Sequence, residues 1–210
     1  MTERILYQFP ISHYCEKSRW LLDYKGLAYR TRNLLPGPHR LRTQWMARIN
    51  TLPVLRDGQR VVGDSTKIAY YLEKHYPERS LIPTDAESRA RVIELEQQLD
   101  RVAVHVRRWL YGQIIDRPEV MDAMLDPYRL PSPVQKVLAP VTREGVRRLY
   151  RIEPKAVAHS GQRLEEGLAL VEETLRRGNG RYLVGERLTL ADITAAGLLG
   201  AMALVTLLLK

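Results

Sequence analysis

Every strand-like segment in this 210-residue chain falls before residue 64, and the long segments after it carry helical spacing. Ile5 to Phe9 is a short apolar run closed by Pro10, the pattern of a buried strand. Trp20, Leu21 and Tyr24 share a helical face, and Gly26 stands where a helix C-cap favours glycine. Leu27 to Leu35 is strand-like and stops at Pro36-Gly37-Pro38. Arg40 to Ile49 reads as a second, arginine-rich helix. Pro53-Val54-Leu55 and Arg60-Val61-Val62 flank Asp57-Gly58, a strong hairpin signal. Behind Ser65, the residues Ile68, Tyr71, Leu72 and His75 line one side of a helix. The order β-α-β-α-β-β-α makes a small α/β layer unit: a parallel crossover, then a hairpin and a covering helix.

Tyr76-Pro77 ends that helix, and no convincing strand follows. Val92, Leu95, Leu99, Val102 and Val106 step by three and four, as in one long amphipathic helix; Leu164, Leu168, Val171 and Leu175 repeat the pattern. The proline-rich segment 118–154 reads as shorter helical pieces. Gly178-Asn179-Gly180 breaks the chain. Thr189 followed by Asp192 forms a capping box that opens a last apolar helix. The expected organisation is an α/β domain over 1–79, a linker over 80–85 and an all-α domain over 86–210.

Ile193 to Leu209 is apolar or weakly polar for 17 residues, the lower limit for crossing a bilayer. It contains two glycines and lacks flanking aromatic anchors, so a buried core helix is expected and no membrane. The chain carries 33 basic and 24 acidic side chains, a net charge of +9. Seven of the basic residues are lysine, and the arginines are interspersed with carboxylates rather than gathered in a block. That distribution is a solvated surface, and no nucleic-acid partner is expected. The single cysteine, Cys15, excludes an internal disulfide framework and a four-cysteine zinc site. His13, His39, His75, His105 and His159 show no ligand spacing, so no metal is expected. A lone cysteine and an N-terminus without a signal segment suit a reducing, cytoplasmic location.

Three local features carry the chemistry. Phe9-Pro10-Ile11-Ser12-His13-Tyr14-Cys15 lies at the turn from the first strand into the first helix. Helix N-termini present unpaired amides and partial positive charge, which stabilise a thiolate, although a hydroxyl at Ser12 also serves as an ordinary N-cap. Thr51-Leu52-Pro53-Val54 opens a strand with proline, an unusual place for a residue lacking the ladder donor. Gly63-Asp64-Ser65-Thr66 precedes the third helix, where a hydroxyl and free amides suit a carboxylate. Together these motifs, with the Tyr71-Leu72-Glu73 and Tyr76-Pro77 ending, resemble the glutathione transferase superfamily, and Thr189 to Asp192 is similar to the capping box of its second domain. The likeness covers nearly the whole chain.

The resemblance implies a thioredoxin-like N-terminal domain and an all-α C-terminal domain. It implies that Ser12 occupies the position of the hydroxyl that contacts the glutathione sulfur in serine-type members. It implies a cis Leu52-Pro53 bond, with Leu52 offering backbone groups to the cysteinyl part of glutathione, and Asp64 and Ser65 at the γ-glutamyl end. His39 and Arg40 follow the second strand, where many members place basic residues near the glycyl carboxylate; a solvated basic face fits them equally. Tyr14, His105, Trp109 and Tyr111 are the candidates for an electrophile pocket, drawn from the first helix and the long helix expected to face the site.

The sequence also departs from the pattern. The position of the catalytic tyrosine of other members falls on Gln8, with Tyr7 on the opposite strand face, so a tyrosine mechanism is not expected. Cys15 lies one turn into the first helix near Lys17 and Arg19, either as a thiol-exchange nucleophile or as packing. Members usually continue past the central helix; here its cover is expected from 118–154, from a dimer partner or from further sequence. The function implied is a cytoplasmic, homodimeric transferase that joins glutathione, as co-substrate, to a small electrophile in detoxification. The alternatives are a non-catalytic binding or scaffold protein of the same fold, and a thiol–disulfide oxidoreductase using Cys15.

Overall fold

The computed structural model describes residues 3–178 and 180–208, with side chains omitted at 201 and 203–208. The chain begins as expected, β-α-β-α-β-β-α: β1 Arg4–Gln8, α1 His13–Tyr24, β2 Arg30–Asn33, α2 His39–Ala47, β3 Val54–Asp57, β4 Arg60–Gly63 and α3 Ser65–His75. The sheet order is β2-β1-β3-β4, with β1 parallel to β2 and antiparallel to β3. Gly58 at φ 60° turns the β3–β4 hairpin, a conformation that glycine adopts without the Cβ penalty.

Alternation along β1 divides the sheet's two faces. Leu6 and its partner Leu55 point into the main core with Leu21, Leu22, Ile68 and Leu72 from α1 and α3. Tyr7 and its partner Val54 point to the other face, where Met46, Ala47 and Ile49 cover them. Gln8 is held by a hydrogen bond to Asn33 at 3.1 Å. Strand β2 is short and wholly exposed; Leu27 to Tyr29 stays outside it, and Leu27 and Tyr29 pack on the main core instead.

The rest of the described chain is helical: α4 Ala86–Ala103, α5 Val106–Ile114, α6 Pro118–Leu125, α7 Ser132–Tyr150, α8 Pro154–Arg177 and α9 Leu190–Leu208. Two elements differ from expectation. The helix anticipated through Val106 breaks at Val104-His105, giving α4 and α5. The segment anticipated as short pieces contains the 19-residue α7, which runs straight through Pro140. Proline costs a helix one backbone hydrogen bond and a steric adjustment. Helix α7 buries no residue completely, so its solvent side leaves room for that adjustment.

The capping box at α9 forms. Asp192 accepts from the Thr189 amide at 2.8 Å and the Thr189 hydroxyl at 2.7 Å, and its other oxygen takes the Leu183 amide at 2.7 Å. Helix α9 then packs between α1 and α4. The approach to α1 is close: a Cβ at Gly197 would lie 3.0 Å from the Lys17 Cα, so only glycine fits without displacing backbone. No described helix is long and apolar enough to cross a membrane. The cover of the end of α9 lies outside the described side chains, whereas α6 and α7 pack beside α5 through Tyr111, Ile115 and Met121.

Candidate functional site

Ser12 is the N-cap residue of α1, in extended conformation at φ −85° and ψ 122°. Its carbonyl takes the Glu16 amide at 2.8 Å, yet its side chain caps no helix amide. The hydroxyl is therefore available for another role, and it is used: Arg107 of α5 donates from Nη2 to Ser12 Oγ at 2.7 Å. The same guanidinium donates from Nη1 to the Tyr150 hydroxyl at 3.0 Å and lies over the Tyr14 ring, 5.3 Å from its centroid.

Leu52-Pro53 is a cis peptide, as the resemblance implied. The Pro53 carbonyl accepts from the Asp64 amide at 3.1 Å, which ties the turn before β3 to the start of α3. Among the described residues the Leu52 amide and carbonyl make no backbone hydrogen bond, so a free edge remains at the residue that packs on Cys15. The Leu52 side chain is buried in one cluster with Cys15, Tyr7 and Val54.

Asp64 is the N-cap of α3. Its Oδ1 accepts the amides of Thr66 at 3.0 Å and Lys67 at 3.1 Å, and its φ of 78° is in the left-handed region. Ser65 opens the helix and is buried. Asp64 thus consumes two of the free amides that the sequence offered to a ligand carboxylate, while its own charge stays at the surface.

Cys15 is fully buried. Burial pushes its thiol up, opposed by hydrogen bonds from the Phe9 backbone and the Ser12 side chain and by the charge of Arg107. Beside it, burial and the Arg107 charge push the His13 imidazole down to about 3, against a hydrogen bond to the Ala103 backbone, and His13 Nε2 has no hydrogen-bond partner. Burial raises the Tyr14 phenol.

His39 opens α2 and sits edge-on to Phe9, ring centroids 4.7 Å apart, with Nδ1 accepting the Gly37 amide at 3.1 Å. Burial, Arg40 and Arg107 lower its pKa. Arg40 is exposed and points no hydrogen bond toward Ser12. The pocket candidates divide. Tyr14 is at the site under Arg107. Tyr111 stands behind it, buried, 5.5 Å from the Tyr150 ring, with its phenol pushed up to about 12 by burial. His105 faces α8 instead, its Nδ1 3.2 Å from Ser160 Oγ and its ring 5.7 Å from His159. Trp109 also faces α8, where a Cβ on Gly161 would touch its ring at 3.2 Å.

Arg107 and Tyr150 are absent from the sequence-derived set. Arg107 did carry a signal: its neighbours three and four positions away in the sequence, Ala103, Val104, Leu110 and Tyr111, include no carboxylate. A cation flanked that way on a helix is directed to a partner elsewhere in the fold.

The sequence profile of the glutathione S-transferase N-terminal domain matches residues 6–80, and that of the C-terminal domain matches 154–209. A curated relative, glutathione S-transferase 1 of Dianthus caryophyllus, is 38% identical over 90 residues, 40% of this chain and 40% of its own. A zeta-class glutathione S-transferase of Euphorbia esula is 37% identical over 90 residues, 40% of this chain and 39% of its own. The matched region therefore spans about two fifths of these relatives. A glutathione S-transferase from Rhodospirillum rubrum superposes with a TM-score of 0.68 at 24% identity, covering 95% of this chain and 77% of the other. One from Methylobacterium radiotolerans, solved with glutathione sulfonate, superposes with a TM-score of 0.68 at 22% identity over 96% of this chain and 80% of the other. The two profiles, in order along one α/β-then-helical chain, show that the chain belongs to the glutathione S-transferase superfamily.

Proposed function

We propose that this protein binds glutathione along the edge formed by Ser12, Leu52 and the Asp64-Ser65 turn, and activates its thiol for attack on a small electrophile. The observation that carries the reading is the hydrogen bond from the Asp64 amide to the Pro53 carbonyl, which holds the Leu52 edge and the α3 N-terminus together. The free Leu52 amide and carbonyl suit strand-like pairing with the cysteinyl residue. The start of α3 suits the γ-glutamyl carboxylate, with Asp64 near the ammonium. The Ser12 hydroxyl, spared from capping, favours the thiolate by donating to sulfur. His39, on the α2 side, is the basic-region residue we assign to the glycyl end, ahead of the exposed Arg40.

Of the pocket candidates, Tyr14 and Tyr111 fit a wall for the electrophile. Family membership supports a cytoplasmic two-fold dimer as the working unit. Burial of Cys15 and its raised pKa support a packing role over thiol exchange. Isothermal titration with glutathione tests the reading. Binding by the wild type, weakened in Ser65→Ala, and conjugation of an aryl halide lost in Ser12→Ala but kept in Cys15→Ala, are the expected results. Absence of glutathione binding by the wild type overturns the reading; loss of activity in Cys15→Ala alone replaces conjugation with exchange.

A further inference from the structure

Arg107 is a partly buried cation without a counter-charge. Among the described residues its guanidinium joins no ion pair. It is held by the hydroxyls of Ser12 and Tyr150 and by the faces of two rings, with centroids at 5.3 Å for Tyr14 and 5.8 Å for Tyr150. It also stands in the first turn of α5, which contains no acidic residue and where the helix dipole favours anions over cations. Stability alone gives no reason for a cation there. A desolvated cation held only by neutral groups directs an uncompensated field at whatever anion sits beside Ser12.

We propose that Arg107 is the positioning residue that sets the ionisation of the sulfur of bound glutathione, acting through the Ser12 hydroxyl. The inference rests on the reading of Ser12 as the sulfur contact. The guanidinium N–H fills one lone pair of Ser12 Oγ and fixes the oxygen, so that the hydroxyl hydrogen, which here faces the Cys15 thiol, can turn to a ligand sulfur. A hydroxyl polarised by a cation is a stronger donor, and chained hydrogen bonds reinforce each other. When the thiol ionises, its proton leaves to water and the thiolate accepts from Ser12, with the positive charge one bond behind. The same pair already acts on a sulfur here, since both Ser12 and Arg107 pull the Cys15 thiol down against its burial.

The other titratable groups around Arg107 leave it as the principal cation. From α1, His13 is held neutral above about pH 3, and Tyr14 is raised. His39 of α2 is lowered. Tyr111 and Tyr128 are pushed to about 12. Asp64 at the start of α3 and Asp100 of α4 act on Tyr14, and Arg19 acts on Cys15 from one turn further along α1.

The test is the thiolate absorbance of bound glutathione, titrated against pH. In the wild type the apparent thiol pKa should fall below that of free glutathione. Arg107→Met should raise it by about 1–3 units, the shift typical of losing an opposite charge at this range, with Arg107→Lys in between. Glutathione affinity should change little at low pH, where the bound thiol is protonated, and fall at high pH in step with the pKa change, which a merely structural role does not predict. If Arg107→Met fails to fold, Tyr150→Phe, which frees Nη1, decides by the direction of the same pKa. An unchanged thiol pKa in a variant that binds glutathione overturns the inference, whereas a wild type that binds no glutathione overturns the reading beneath it.

Discussion

Lys17 Nζ and Glu96 Oε1 lie 2.6 Å apart with both side chains fully buried, joining α1 to α4. Thr66, at the start of α3, donates to the same oxygen at 2.7 Å. One buried contact thus fixes the first helix, the start of α3 and the helical layer relative to one another. Ser12 and Arg107 come from those same two layers. The 2.7 Å contact between them depends on that register, so the ion pair is a structural support for the site.

Removing one partner of this pair should be costly. Glu96→Ala leaves the Lys17 ammonium buried without a counter-charge, a situation that typically costs about 3–5 kcal/mol. The double variant Lys17→Met with Glu96→Leu removes both charges and should recover most of that loss. Urea denaturation of the three proteins checks this. A Glu96→Ala midpoint equal to wild type would mean that the pair contributes nothing to holding the layers.

The N-terminal layer was legible because each element carries its own local signal. Pro10 ends β1, Asp57-Gly58 turns the hairpin and Asp64-Ser65 opens α3. All of these act within a few residues. The α4–α5 break was not legible, since Leu99, Val102 and Val106 continue the spacing of three and four across it. Its consequence for the site is large. It turns His105 and Trp109 toward α8 and brings Arg107 and Tyr111 toward Ser12. Lys17 and Glu96 were equally hidden, because their pairing spans 79 positions and each alone looks like a surface charge.

Asp64 caps α3 from a left-handed backbone, so its charge and its geometry can be separated. Asp64→Asn retains a side-chain oxygen for the Thr66 amide and tolerates positive φ, and stability should change by only a few tenths of a kcal/mol. Asp64→Ala loses the cap and places a Cβ in that conformation without compensation, at a cost of about 1–3 kcal/mol. Thermal melts of the two variants should separate accordingly. Equal melts would show that the cap adds nothing to α3.

Cys15 should behave as a core residue toward reagents. Its side chain is fully buried and its thiol raised by burial, so an aromatic disulfide reagent should modify it only as fast as the protein opens. Cys15→Ala should cost about 1 kcal/mol through lost packing against Leu52 and Val54. Modification of the native protein at the rate of the denatured one would contradict this placement.

His13 gives the molecule a predictable acid sensitivity. The imidazole is 5% exposed, and its pKa is lowered to about 3 by burial and by Arg107. In the unfolded chain it titrates at its ordinary value of about 6.5. Between those two values the unfolded state holds one more proton than the folded state. The stability this histidine contributes is therefore complete above about pH 6.5 and is lost as pH falls toward about 3, at about 1.4 kcal/mol per pH unit. From pH 6.5 to 5 the loss from this one group is about 2 kcal/mol. His13→Gln removes the titrating group while keeping a polar side chain of similar reach. Its stability at pH 7 should lie below that of wild type, because one ring contact with Tyr14 is lost. Its loss between pH 6.5 and 5 should be smaller than that of wild type by about the same 2 kcal/mol. Denaturation midpoints at the two pH values give the comparison directly, and parallel losses in both proteins would mean that His13 is protonated in the folded state and that the field of Arg107 does not reach it.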